Sequence, residues 1–416
     1  MLTDDPAHVC QHVAMNRPRG RLRTEMQRES GAVTPLELFF DLVFVFALTG
    51  VTAFMAEDLT WHGMLRGMLI FGLLWWSWVC YSWLGNVARA DEGVTRPALF
   101  AAMAVMFVLA LSIPESFDDL PGGLHGPVVV AVCYFLFRGV HLVLFWIISA
   151  DDPGLRGQLL RFAPSMLVAT TLLLVAAVTE GPTQTALWAA ALVADYLGNY
   201  LGGARGWRLR SAGHFAERHG LILIVALGES IVAVGVGVAK LPISLPIVAT
   251  AVLGLVLSAT LWWSYFDVTA LAAERVFAAT PDADRPRLAR DAYSYLHLPM
   301  VAGVVLLALG LKKVLAYVGD PVHHDLAEPL KGVGLTALVG GLTLYLLGHA
   351  GFTWRVLHVV NVRHAVPVVA LLSMLGIGPH IPALATLAVL TAAMAGLVAF
   401  ETTRFAEDRH RIRHEH

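Results

Sequence analysis

The chain has 416 residues, a formal net charge of −2, 57% hydrophobic residues and only 14% charged residues. A soluble domain carries about 25% charged residues, so too few charges are present to clothe a water-facing surface, and the long apolar runs must face lipid. A soluble enzyme and a disordered chain are excluded, and the near-zero net charge offers no basic field to a nucleic-acid backbone.

Residues 1–34 form a polar tail carrying Arg17, Arg19, Arg21, Arg23 and Arg28, without the apolar core of a cleavable signal peptide. A helix that crosses the hydrocarbon layer needs about 20 mostly apolar residues. Twelve stretches are expected to do so: 36–55, 63–84, 97–113, 127–149, 160–179, 183–201, 219–238, 245–267, 293–311, 332–349, 355–377 and 381–400. The eleventh is the most polar, with Asn361, Arg363 and His364. Open strands would leave backbone groups unpaired in lipid, so the expected class is an all-α polytopic membrane protein. Cys10, Cys80 and Cys133 have no paired spacing and read as small apolar fillers rather than a disulfide or zinc framework.

The basic residues give an orientation. The N-terminal tail, every second loop after it and the C-terminal tail hold 22 Lys and Arg; the opposite loops hold 4, and Arg66, Arg138 and Arg363 fall within spans. Positive charge accumulates on cytoplasmic loops, so both termini are expected in the cytoplasm and the number of spans is even.

A weak repeat runs through the chain. Trp75-Trp76-Ser77-Trp78 in the second span is echoed by Trp262-Trp263-Ser264-Tyr265 in the eighth, 187 residues on. Glu37 and Glu217 open the first and seventh spans 180 residues apart, and Arg161-Phe162-Ala163-Pro164 is echoed by Arg363-His364-Ala365-Val366-Pro367. The expected organisation is a tail at 1–34, a six-helix half at 35–201, a cytoplasmic linker at 202–213, a second six-helix half at 214–400 and a cytoplasmic tail at 401–416. Six is even, so the two halves are expected as parallel repeats.

Charge inside a span is costly and marks a candidate site. Glu229, near the middle of the seventh span, suits a proton or cation site, or a protonated acid joining helices; Gly228 beside it would admit a close neighbour. Glu37 and Asp41 share a face of the first span. Glu37 also suits a capping box with Thr34, whereas Asp41 lies about 9 Å down the helix, too deep for capping. His214 and Glu217 sit three residues apart where the seventh span begins, with His219 turned about 140° away from His214. No single-helix metal site results, and a metal would need ligands from other helices; a charged, pH-responsive interfacial cluster fits better. Arg138 and His141 need a buried acceptor, which Asp195 or Glu229 could supply. Trp75, Trp76, Trp78, Tyr81 and Trp83 suit an interfacial belt with packing, or an aromatic cage for an organic cation. Asp267 suits a snorkelling interfacial group, and Pro164, Pro299 and Pro367 are candidate helix breaks. No Walker loop, G-x-S-x-G elbow or Rossmann fingerprint occurs, and no cofactor is expected.

Val33-Thr34-Pro35-Leu36-Glu37-Leu38-Phe39-Phe40-Asp41-Leu42-Val43-Phe44-Val45 resembles the opening motif of the low-temperature-requirement A family. His214-Phe215-Ala216-Glu217-Arg218-His219-Gly220-Leu221, followed by Leu227-Gly228-Glu229-Ser230, is similar to its second motif, with His219 where an aromatic is usual. The resemblance spans the membrane region and implies a bacterial multi-pass inner-membrane protein, with no substrate or reaction attached. It points to Glu37, Asp41, His214, Glu217 and Glu229. Three functions compete: a proton- or ion-coupled secondary transporter, an ion channel, and a membrane-embedded enzyme or sensor using His214 and Glu217. The expected partners are the lipid bilayer and an ion or small-molecule substrate whose identity the residues leave open, as they do the oligomeric state.

Overall fold

A computed structural model describes residues 32–238, 241–320, 323–359 and 365–404. Among them every regular element is helical: α1 Pro35–Glu57, α2 Trp61–Val87, α3 Thr95–Leu111, α4 Gly126–Ile148, α5 Pro153–Ala176, α6 Gly181–Gly202, α7 Ala212–Val238, α8 Leu245–Phe266, α9 Thr269–Ala279, α10 Arg285–Leu288, α11 His297–Gly319, α12 Gly332–Leu357, α13 Ala365–Ile377 and α14 Ala383–Arg404. Nine helices of the described residues are long and apolar enough to cross a membrane, while α3 and α13 are shorter apolar helices. The 22-residue α6 is not among the nine; it carries Gln184, Asp195 and Asn199 on its buried side.

Local chemistry explains the boundaries. Pro35 occupies the first turn of α1 behind Thr34, which caps the helix together with Glu37 in a capping box. Thr60 caps α2 and Asp152 caps α5. α5 runs unbroken through Pro164, and Pro299 and Pro367 fall in the first turns of α11 and α13, so none of these prolines interrupts a helix. Proline is tolerated in a first turn because the amide it lacks has no helical partner there. The irregularity falls elsewhere, in a seven-residue π-helical stretch, Ala289–Tyr295, that joins α10 to α11.

α2 forms the core, with an unbroken run of buried residues from Leu69 to Val87. α11 and α12 are the other well-buried helices and pack backbone to backbone: a Cβ on Gly303 would stand 2.5 Å from the Gly341 carbonyl and 2.6 Å from the Tyr345 amide. Large apolar side chains on the outer helices, Leu42, Leu160 and Leu245 among them, are exposed, as a lipid-facing surface requires.

Neighbouring helices recur in the same pattern. α1 lies against α2 and α3, α3 against α4, α4 against α5, α5 against α6, and α6 against α2. α7 lies against α8 and α11, α11 against α12, α12 against α13, α13 against α14, and α14 against α8. The two sets meet where α1 packs on α7 and α11, and α2 on α7 and α11. α1 and α7 run in the same direction: Glu37 touches Arg218 near one end and Thr49 touches Glu229 further along both helices.

Candidate functional site

The two segments singled out in the sequence meet along the α1–α7 contact. One oxygen of Glu37 remains with the cap, accepting from the Thr34 amide at 2.9 Å and the Thr34 hydroxyl at 3.0 Å. The other accepts from Arg218 Nη1 at 2.9 Å, and His214 Nε2 lies 3.1 Å from both oxygens. Glu37 therefore caps α1 and also reaches α7. One turn deeper, Asp41 Oδ1 accepts from Arg218 Nη2 at 2.7 Å and from the Trp78 indole at 2.8 Å. The planar fork of one guanidinium thus joins two carboxylates of α1, a geometry that a lysine could not reproduce.

Several features hold this arrangement. His214 and Arg218, four residues apart, share a face of α7. Asn86 of α2 accepts from the Arg210 amide at 2.7 Å, donates to the Ser211 carbonyl at 2.6 Å and lies 3.5 Å from His214 Nδ1. Gly85 makes room, because a Cβ there would collide with the Glu37 carboxylate. Arg218 is only 2% exposed, and its guanidinium lies 5.6 Å from the Trp78 ring centroid. The cation against Trp78 is thus the protein's own. Asp41 Oδ2 and Arg218 Nε are buried without a hydrogen-bond partner among the described residues. Hydrogen-bond capacity is therefore left over for a proton, a water or a polar group between the helices.

Glu217 does not join this cluster. It is exposed, and its carboxylate accepts from the Val33 amide at 3.1 Å. At three residues from His214 it lies about 60° round the helix, on the opposite side from Arg218, which is about 40° away. The expected His214–Glu217 pairing is corrected to His214 with Glu37. Among the described residues no group of three or more His, Cys, Asp or Glu is placed to hold a metal ion.

Glu229 is 1% exposed and points into the bundle, but it is not the acceptor for Arg138 or His141. It accepts from the Thr49 hydroxyl of α1. Eleven residues separate it from Arg218, about 16 Å of helix, so it lies level with Thr49 and well beyond Asp41. The space expected beside Gly228 for a close helix is open: a Cβ there would meet nothing within 4 Å.

Arg138 and His141 belong to a second buried cluster. Arg138 donates to Asp195 at 3.2 Å and to the Cys80 sulfur, and Tyr134 donates to the other Asp195 oxygen. His141 Nε2 lies 2.9 Å from the Cys80 carbonyl. Asp195, rather than Glu229, is the acceptor that Arg138 required, and Cys80 is a polar partner rather than a filler. Beside this cluster a cavity of about 20 Å³, room for one water, is lined by Trp76, His141, Asn199 and Arg290.

Trp75, Trp76, Trp78 and Trp83 of α2 are interior, which corrects the interfacial belt. Trp75 and Trp83 donate to the carbonyl and hydroxyl of Ser294 in the π-helical stretch, at 2.9 and 3.0 Å. Trp262 and Trp263, the expected counterparts of Trp75 and Trp76, are 43% and 42% exposed. Asp267 is buried rather than snorkelling. His219 packs its ring against Trp78, Phe215 and His297, as an aromatic residue at that place would. Arg363 and His364 lie outside the described residues.

Arg218 and Asn86 were missed as site residues, and Trp78, read as part of a belt or cation cage, is instead a donor to Asp41. Arg218 had a signal: it stands directly before the seventh apolar span, and the first span offered two acids at helical spacing. Asn86 had none, because its role depends on the path of the chain entering α7.

The comparisons with known proteins agree with the two segments. An uncharacterized protein from Rhizobium meliloti (strain 1021) is 28% identical over 338 residues, covering 79% of this chain and 78% of its own length. No solved structure matches the chain. The family model described as bacterial low temperature requirement A protein (LtrA) matches residues 32–399. That match takes in both segments and every buried ion pair described above, and the chain belongs to the LtrA family.

Proposed function

We propose that this protein is a proton- or ion-coupled secondary transporter of the bacterial inner membrane. In this reading twelve helices span in two parallel six-helix halves, with both termini in the cytoplasm. The observation that carries it is the α1–α7 contact, where Glu37, Asp41, His214 and Arg218 join the first helix of one set to the first helix of the other. A charge cluster that bridges two halves ties protonation to the contact between them: a proton or cation arriving at Glu37 or Asp41 weakens their hold on Arg218. Glu229, buried deeper in the same contact against Thr49, is a second protonatable group on that line. The repeated neighbour pattern and the common direction of α1 and α7 support the parallel halves, and the bias of 22 basic residues against 4 supports the orientation.

The test is flux in proteoliposomes loaded with a pH-sensitive dye, screening alkali cations, amino acids and organic ions under an imposed pH gradient. The expected result is a saturable, solute-dependent proton movement that is lost in Glu229→Gln and Asp41→Asn while both variants remain folded. A folded Glu229→Gln protein with wild-type, pH-dependent flux removes Glu229 from the coupling path. Unsaturable current that follows voltage alone overturns the transporter reading in favour of a channel. Reporter fusions at the two termini check the orientation, and an N-terminus reached only from the periplasm overturns it.

A further inference from the structure

A second region of the molecule carries a different chemistry. A cavity of about 690 Å³ opens between α5, the end of α6 with the residues that follow it, and the turn leading into α10. Four arginines from three segments line it, Arg161, Arg205, and Arg287 with Arg290, against a single carboxylate, Asp284. The acid behind them is already committed: Asp291 accepts from Arg290 at 2.7 Å and from Arg355 at 3.0 Å, with Arg287 3.9 Å away. Positive charge is left over and is concentrated in a concave site.

Two of the guanidinium groups are held in place. Arg290 donates to the Tyr200 carbonyl at 3.3 Å and lies 4.5 Å from the Tyr200 ring centroid. Arg161 is fixed by Gln158 at 2.6 Å and by the Arg205 carbonyl at 2.8 Å. Arg205 is exposed, and Arg287, 71% exposed in its side chain, is held only by its 3.9 Å approach to Asp291, so both can close on a ligand. The rim is apolar and open: Leu201 is 73% exposed, with Tyr200 and Leu160 also exposed nearby in α6 and α5. Planar donors converging on a pocket suit a phosphate group, and an apolar rim beside them suits an acyl chain.

We propose that this cleft binds a phosphate group presented by an anionic phospholipid, seated between the end of α6 and the segment leading into α10. The site takes its ligand from the bilayer, and a soluble phosphate is the alternative source of the same chemistry. The proposal is independent of the transport reading, because none of its residues belongs to the α1–α7 cluster.

The experiment is native mass spectrometry of the full chain in mild detergent, titrated with phosphatidylglycerol, with phosphatidylcholine, and with inorganic phosphate at matched ionic strength. The variants are Arg205→Gln with Arg287→Gln, and Arg208→Gln as an arginine outside the cleft. The wild type is expected to retain one phosphatidylglycerol in preference to phosphatidylcholine. The double variant should bind about tenfold or more weakly, as expected for lost charge-assisted contacts, with an unchanged melting temperature without lipid and no effect from Arg208→Gln. Competition by inorganic phosphate would assign recognition to the phosphate group itself. Equal retention of the two lipids, or undiminished phosphatidylglycerol binding in the double variant, overturns the proposal. Binding of inorganic phosphate alone overturns the lipid source.

Discussion

Replacing Arg218 by glutamine tests whether the α1–α7 cluster holds the two helix sets together. Arg218 is 2% exposed and makes hydrogen bonds of 2.9 and 2.7 Å to two different carboxylates. Glutamine leaves Glu37 and Asp41 facing the same buried space without their shared cation. Removing one partner from a buried charge pair costs about 3–5 kcal/mol. Arg218→Lys should cost less, about 1.5–3 kcal/mol, because one ammonium cannot satisfy both acceptors. Asp41→Asn should be milder than Arg218→Gln, since the amide oxygen can still accept from Trp78 and Arg218 keeps Glu37. In the double variant one of the two stranded charges is gone, so the losses should fall short of additivity by about 1–3 kcal/mol. The assay is unfolding in mixed micelles of rising denaturing-detergent fraction, followed by far-ultraviolet circular dichroism. Exposed Glu217→Gln serves as the control on the same helix. An Arg218→Gln protein within about 0.5 kcal/mol of wild type, the range of an ordinary surface change, or strict additivity with Asp41→Asn, would refute the reasoning.

Other substitutions have equally definite outcomes. Gly303→Ala should destabilise by about 1–3 kcal/mol or more, because its Cβ would meet the backbone of α12, whereas Gly228→Ala, facing open space, should be neutral or stabilise by up to about 1 kcal/mol. The same micellar unfolding assay separates the two. Thr49→Val takes a hydroxyl from the buried Glu229 carboxylate and should cost about 1–3 kcal/mol, which Thr49→Ser should largely restore. At the start of α5, Asp152 pairs with Arg208 at 2.8 Å, which holds its carboxyl below the usual range. A depressed carboxylate pKa stabilises above the unfolded value of about 3.9, and the contribution is lost as pH falls through the lower folded value. Both side chains reach solvent, so Asp152→Asn, which preserves the cap, should remove less than about 1 kcal/mol and abolish that part of the acid dependence. Unfolding midpoints measured from neutral pH to about pH 3 check the sign; a variant that loses as much stability on acidification as the wild type contradicts the assignment.

Much of this protein was legible before any coordinates. Hydropathy and the cost of burying unpaired backbone in lipid dictate helices, and each expected stretch overlaps a helix: residues 36–55 fall within α1 and 381–400 overlap α14. The capping box at Thr34 and Glu37 is a local pattern, readable because its partners lie three residues apart. The buried acids stood out because charge inside a span has so few explanations. The short α9 and the π-helical stretch did not stand out, since both are too short to read as spans; α9 packs against α7, α8 and α12, and the π-helical stretch against α11 and α12. Which charge meets which was also beyond the chain order. Glu229 was a plausible acceptor for Arg138, and only the packing of α4 and α6 against α2 and of α7 against α1 gave Arg138 to Asp195 and Glu229 to Thr49. The tryptophans of α2 read as an interfacial belt because composition cannot distinguish a lipid-facing helix from one surrounded by other helices. Local sequence determines that a segment is helical and which residues share a face. The direction of that face, and hence the partner of a buried charge such as Arg138 or Arg218, depends on contacts between residues from 57 to 181 positions apart, which the tertiary structure alone decides.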